Sequence, residues 1–213
     1  MGKPDGSPFA RHHRRYDAWF VHNAAAYDSE LRAVGALLPR HGRGLALGVG
    51  TGRFAAPLGV RVGVDPAREM LIYARQRGIS VVQGVAEALP FPARRFDHAL
   101  CVTTICFVMD IPATLAEAYR ILKPGAPLVI GFIDRESVIG RSYLARQARS
   151  LFYREASFVS ADEVADLLRN AGFIDDVWLQ TLFRSLDQTE HIEDPIPGHG
   201  EGAFVAVRAL RRR

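Results

Sequence analysis

Three glycines at alternate positions, Gly48, Gly50 and Gly52, close a short apolar run in "GLALGVGTGRFAAPLGV" (residues 44–60). Residues without side chains let backbone N–H groups approach a bound group closely and permit a tight turn after a strand. Asp65 follows thirteen residues beyond Gly52, at the end of a second apolar run, placed to accept hydrogen bonds from a ribose diol. Each signal alone has a plain structural reading: glycine for packing, and an acid ahead of Pro66 as a helix cap. Together with "GVAEALPF" (residues 84–91) and "TTICF" (residues 103–107) after two further strands, they outline a nucleoside-shaped slot. A dinucleotide loop wants a third glycine at residue 53, where Arg53 stands, so a nicotinamide or flavin cofactor is the runner-up.

Alternating elements must position these residues. "FARHHRRYDAWFV" and "YDSELRAVGALLP" have apolar residues at helical spacing and predict two leading helices. "GLALGV" and "VRVGVD" predict buried strands flanking the glycine loop and a short helix. "PAREMLIYARQRG" predicts a helix with Pro66 in its first turn and Gly78 past its end. Then come "ISVVQGVAE" (strand), "HALCVTT" (strand), "IPATLAEAYRILKPG" (helix) and "APLVIGFID" (strand). A capping box opens "SADEVADLLRNAGF" at Ser160 and Glu163, and "DDVWLQTLF" and "GAFVAVRAL" are strands. Strand and helix alternate throughout, which predicts a doubly wound α/β fold with ligands at the carboxyl ends of its strands.

The chain of 213 residues fits one domain. Its parts are leading helices (1–40), a cofactor-binding core (41–134), a cap insertion (135–159) and a segment completing the sheet (160–213). No apolar run reaches the roughly 18 to 20 residues that span a bilayer, and the start lacks the apolar core of a signal peptide. A cytoplasmic protein with no membrane partner is expected. The net charge of +4 equals the arginines at the C-terminus, Arg208, Arg211, Arg212 and Arg213, read as a solvated tail. The other basic residues are interspersed with acids, so no nucleic-acid groove is expected. Cys101 and Cys106 read as buried thiols, the adjacent His12 and His13 diverge on a helix, and His191 and His199 fall in a loop, so no metal site is expected.

The segments "YDAWF", "LGVGTGRFA", "VGVDP", "GVAEALPFPARRFD", "EAYRILKPG" and "NAGF" together resemble the class I S-adenosylmethionine-dependent methyltransferases of small molecules. The resemblance implies a three-layer, mostly parallel seven-stranded sheet with the last strand antiparallel. It implies that Gly48, Gly50, Gly52 and Arg53 surround the methionine part of the cofactor, with Asp65 and Pro66 at the ribose. By the same resemblance Met70 flanks the adenine, Ala86 and Glu87 meet its edge, and Thr103 lies beneath the sulfonium. The product is then S-adenosylhomocysteine, and the protein is a monomer or a homodimer.

Two departures stand out: Ala46 where the family has an acid two residues before the first glycine, and Val85 where it commonly has Asp. Each absent carboxylate removes a charge-assisted hydrogen bond typically worth about 1.5 to 3 kcal/mol. Glu87 is the candidate substitute for the second, and Tyr16, Asp17 or Tyr27 on the leading helices for the first.

The implied reaction is an in-line displacement that needs alignment and dehydration more than covalent help. Candidates for handling the acceptor's reacting group are Thr104, Asp134 and Tyr16. Candidates for its walls are Trp19, Phe20, Phe107, Arg141, Tyr143, Phe152, Tyr153 and Gln180. "LGVGTGRFA", "TTICFV" and "FYREASF" are similar to a compact subgroup labelled as histamine N-methyltransferase-like, which implies an imidazole nitrogen as acceptor. A thiol, a selenol or a quinone-like phenol fits the same apolar setting, and a cofactor-binding protein without turnover is the reading from another class.

Overall fold

The computed structural model describes residues 7–213, without the side chains of Tyr143 and Arg146. Eight strands form one sheet in the order β3-β2-β1-β4-β5-β8-β6-β7. They are β1 (Gly44–Leu47), β2 (Val62–Asp65), β3 (Ser80–Gln83), β4 (His98–Val102), β5 (Pro127–Ile133), β6 (Phe173–Thr181), β7 (Ile196–Pro197) and β8 (Phe204–Arg211). Pairing is parallel from β3 to β5, and β8 runs antiparallel to both β5 and β6. The eighth member beyond the expected seven is the two-residue edge strand β7. The crossover that reverses strand order lies between β1 and β4, at the carboxyl end of β1, which is where the glycine loop begins.

The period of two along each strand sorts side chains onto two faces. On β1, Ala46 joins one apolar cluster and Leu45 and Leu47 the other; on β4, Leu100 and Val102 join the first and Ala99 and Cys101 the second. The first cluster is covered by α2 (His13–His22), α3 (Ala24–Leu37) and α4 (Arg68–Gln76), the second by α5 (Ile111–Ile121) and α7 (Ala161–Asn170). The four-residue α1 (Pro8–Arg11) and α6 (Val138–Arg146) complete the helices, α6 placing Ile139 and Leu144 against the first cluster.

Local chemistry sets the ends. The Ser160 and Glu163 capping box is formed as expected. Gly78 adopts a left-handed φ of 77° and donates its N–H to the Arg75 carbonyl while Ile79 donates to Ala74, which closes α4 with a Schellman turn. Three expectations change. The leading segment is three helices, because the chain breaks at His12 and again at Asn23. Residues 51–59 are successive turns instead of a short helix, with Gly52 and Gly59 both at positive φ and Pro57 between them. Pro66 precedes α4 by two residues instead of occupying its first turn.

The basic C-terminus is not a loose tail. Arg208 and Arg211 belong to β8 inside the sheet, and the Arg211 guanidinium lies over the Tyr119 ring at 4.7 Å while bonding the Leu122 carbonyl. No described helix is long and apolar enough to cross a membrane.

Candidate cofactor and acceptor site

Gly48 and Gly50 take left-handed φ values of 64° and 53°, which suit glycine, for different reasons. A Cβ on Gly48 would fall 2.3 Å from Thr104, whose hydroxyl donates to the Gly48 carbonyl at 3.2 Å and to Val102 at 3.0 Å. Thr104 therefore stitches the end of β4 to the loop. A Cβ on Gly50 would meet only Met70 Cε at 3.7 Å and the Tyr16 ring and hydroxyl from 3.8 Å, so Gly50 lines a cradle. Gly52 backs onto Ile79 and Ala74 of the layer behind.

Asp65 ends β2 facing this loop. Its Oδ2 accepts the Gly50 N–H and its Oδ1 the Ala67 N–H, both at 2.9 Å. Burial pushes its pKa up to about 6, against the smaller opposing effect of those two N–H donors. At the end of β4, Thr103 holds a φ of 49° while its N–H donates to the Gly131 carbonyl at 2.7 Å. A β-branched residue in that region stores strain, and such residues cluster where ligands bind.

Helices α1 and α2 lie across the cradle. Phe9 packs edge-on to Phe107 at 4.8 Å and to Tyr16 at 5.5 Å and stacks on Phe152 at 5.4 Å. Tyr16, Phe9, Ala10, Ala67 and Met70 form a small apolar cluster. Burial drives the Tyr16 hydroxyl far above its ordinary pKa, only partly offset by Thr103, with the charges of Asp65, Glu30 and Asp17 adding to the rise. The remaining space between Tyr16, Ala46, Gly48, Thr51, Arg53 and Val102 is a cavity of about 20 Å³, room for one water. The Thr51 hydroxyl is buried there, near the Asp17 carboxylate.

An ion cluster fastens α2 to the loop. Arg53 Nη2 lies 2.7 Å and Arg77 Nη2 3.0 Å from Asp17 Oδ2, and Arg77 also donates to the Thr51 carbonyl at 2.8 Å. Burial alone would raise the Asp17 pKa, but Arg53, the Thr51 hydroxyl and Arg77 together outweigh it and hold the group below the usual carboxylate range. The Tyr27 hydroxyl donates to the Arg53 carbonyl at 2.5 Å. Of the three candidates to replace the acid absent at Ala46, Asp17 is thus held by arginines and Tyr27 by the loop backbone.

The remaining predicted residues divide. Met70 and Ala86 are buried and Pro66 is exposed, while Glu87 accepts the Met109 N–H at 2.7 Å. Phe107, Phe152 and Tyr153 join the ring set over the cradle, Tyr153 stacking on Phe107 at 5.7 Å. Trp19 packs against Phe20, and Phe20 is a buried core residue between Tyr16, Tyr27 and Phe54 instead of a pocket wall.

Asp134, Gln180 and Arg141 hold loops. Asp134 Oδ1 accepts the N–H groups of Glu136 and Ala161. Gln180 Oε1 accepts those of Glu201 and Gly202, and exposed Arg141 bonds the Glu136 carbonyl. The Tyr143 side chain lies outside the described residues. Burial raises both Cys101 and Cys106 to about 12, so both are inert thiols, and the described residues contain no metal-binding cluster.

Sequence reasoning passed over Phe9, Arg77 and Glu30. Phe9 and Arg77 leave no pattern, since their partners are distant in the chain. Glu30 does: it interrupts the buried stripe Ala26, Ala33, Val34 and Leu37 of α3.

Against known proteins, residues 45–130 match the methyltransferase domain family. A crystal structure from Thermotoga maritima, named as a SAM-dependent methyltransferase and "possible histamine N-methyltransferase", is 48% identical with a TM-score of 0.93, covering 96% of this chain and 98% of that one. The chain belongs to the S-adenosylmethionine-dependent methyltransferase family. An uncharacterized protein of Methanocaldococcus jannaschii is 41% identical over 201 residues, covering 94% of this chain and 97% of that protein. The ubiquinone biosynthesis O-methyltransferase of Cereibacter sphaeroides is 30% identical over 166 residues, covering 70% and 66%.

The residues present fit S-adenosylmethionine as the cofactor of this methyltransferase. Gly50 leaves a cradle that a Cβ would enter, and Asp65 presents a carboxylate beside it.

Proposed function

We propose that this methyltransferase places the methyl group on a ring nitrogen of a small imidazole-type acceptor. The observation that carries the reading is the ring set Phe9, Phe107, Phe152 and Tyr153, gathered over the carboxyl end of β4 beside Thr103. Flat aromatic walls suit a flat acceptor, by stacked and edge-on contacts worth about 0.5 to 1.5 kcal/mol per ring pair beyond burial. The description of the Thermotoga maritima protein supports the same class.

Bound S-adenosylmethionine supplies an electrophilic methyl group on a positively charged sulfur. By this reading the glycine loop and Thr103 hold the donor end, with Asp65 at the ribose, Met70 and Ala86 at the adenine and Glu87 at its edge. The ring set excludes water and aligns the acceptor along the line of displacement. A neutral imidazole nitrogen attacks without prior deprotonation, and its N–H proton leaves after transfer, so no strong base must touch it.

Methylation of a quinone-type phenol is the second reading, favoured by the likeness to the Cereibacter sphaeroides enzyme. Transfer of a radiolabelled methyl to a panel of imidazoles, phenols and thiols separates the two. Label on an imidazole nitrogen is the expected result, and label confined to a phenol or thiol overturns the first reading.

A further inference from the structure

Glu30 is buried at 4% exposure and makes no hydrogen bond or ion pair to any described residue. Burial alone pushes its pKa up to about 8. Its place follows from helix geometry. Val34, one turn further along α3, lies where a Cβ on Gly131 would meet it at 3.2 Å, beside Val102 and Phe204. Residues four apart share a face. The Thr103 N–H bonds the Gly131 carbonyl, so this face of α3 packs against the ends of β4 and β5 that carry the site. Tyr27, three residues before Glu30 on the same face of α3, bonds the Arg53 carbonyl, and Tyr16 stands over Gly50; an ionised Glu30 would raise the pKa of both hydroxyls. Ala46 faces the same apolar cluster as Ala26, Ala33 and Val34.

The cofactor carries an α-ammonium group, and the position at which the family supplies its acid is Ala46, beside the small cavity. The other carboxylates around the site are engaged elsewhere: Asp17 by two arginines and Asp134 by Glu136 and Ala161, while Asp65 and Glu87 are assigned to the ribose and the adenine edge. We propose that Glu30 supplies from α3 the carboxylate that Ala46 lacks on β1, and binds the cofactor's α-ammonium group. This rests on the assignment of S-adenosylmethionine to the glycine cradle. A buried acid without a cation is costly to ionise, and an arriving ammonium removes that cost. The side chain is therefore selective for a cationic nitrogen over a neutral group of the same size.

Calorimetry with S-adenosylhomocysteine, which keeps the ammonium, and 5′-methylthioadenosine, which lacks the amino-acid part, provides the test. Glu30→Gln is expected to weaken S-adenosylhomocysteine about 10- to 100-fold, the value of a charge-assisted hydrogen bond, and to leave methylthioadenosine within about twofold. Ala46→Asp in the Glu30→Gln background is expected to restore part of the loss. Equal S-adenosylhomocysteine affinity in wild type and Glu30→Gln overturns the proposal, including the case where only methyl transfer falls, which would place Glu30 at the acceptor. A parallel loss for both ligands also overturns it, as a general distortion of the pocket. Wild-type protein that binds neither ligand contradicts the cofactor assignment itself.

Discussion

Asp65→Asn should make the ligand-free protein gain stability relative to wild type as pH rises from 4 to 8, while weakening its hold on the cofactor. Burial raises the Asp65 pKa from 3.8 to about 6, so the folded state holds its proton through a pH range where the unfolded chain has released it. More protons on the folded state means that stability falls as pH rises from about 4 to about 6, and stays lowered above that. The shift of about 2 pH units corresponds to about 3 kcal/mol. The amide escapes this cost but keeps one acceptor oxygen, so either the Gly50 or the Ala67 N–H loses its partner, which costs about 1 to 3 kcal/mol at every pH. Asp65→Asn should therefore melt below wild type near pH 4, and the difference should move in the variant's favour by about 6 to 12 °C between pH 4 and pH 8. Taking the difference between the two proteins isolates Asp65 from Glu30, which contributes its own decline up to about pH 8. S-adenosylhomocysteine affinity should move the other way, by about tenfold or more for a lost carboxylate bond to the ribose. A melting difference that does not change between pH 4 and pH 8, or a variant binding S-adenosylhomocysteine equally well, would refute the reasoning.

Other perturbations separate support from binding. Gly50→Ala places a Cβ in the cradle with no atom closer than 3.7 Å, so it should cost only the left-handed backbone, about 1 kcal/mol by melting, yet reduce S-adenosylhomocysteine affinity in calorimetry. Gly48→Ala meets Thr104 at 2.3 Å and should melt well below Gly50→Ala in the same scan. Asp17→Ala frees Arg53 and Arg77 from α2, and stopped-flow measurement should show S-adenosylhomocysteine associating several-fold faster; an unchanged rate would mean that α2 does not gate the cradle.

The parallel strands were legible because each is a short apolar run ending in a turn residue, and Gly48, Gly50 and Asp65 announced the site because glycines and an acid follow those runs. What hid the rest was physical as well. The break at His12 has no proline or glycine to mark it, and the two-residue β7 is too short for any period to show. The double role of the leading helix was hidden for another reason: rings at helical spacing fit a pocket wall and a core face equally, and the structure makes Phe20 core and Tyr16 cover. Asp134 looked chemical because it ends a strand on the ligand side, but two backbone N–H groups hold it in the turn that follows. Glu30 was visible as a charge within a buried stripe, a signal that helical periodicity alone would have found.

The central claim, that the glycine cradle beneath Phe9 and Tyr16 is the cofactor groove, is tested most directly by a crystal structure of the protein with S-adenosylhomocysteine. The expected result has the ribose on Asp65, the adenine between Met70 and Ala86, and Phe9 and Tyr16 moved off Gly50, because the present cavity of about 20 Å³ holds no nucleoside. Ligand bound elsewhere, with the Phe9 to Phe152 stack still closed over Gly50, would contradict it.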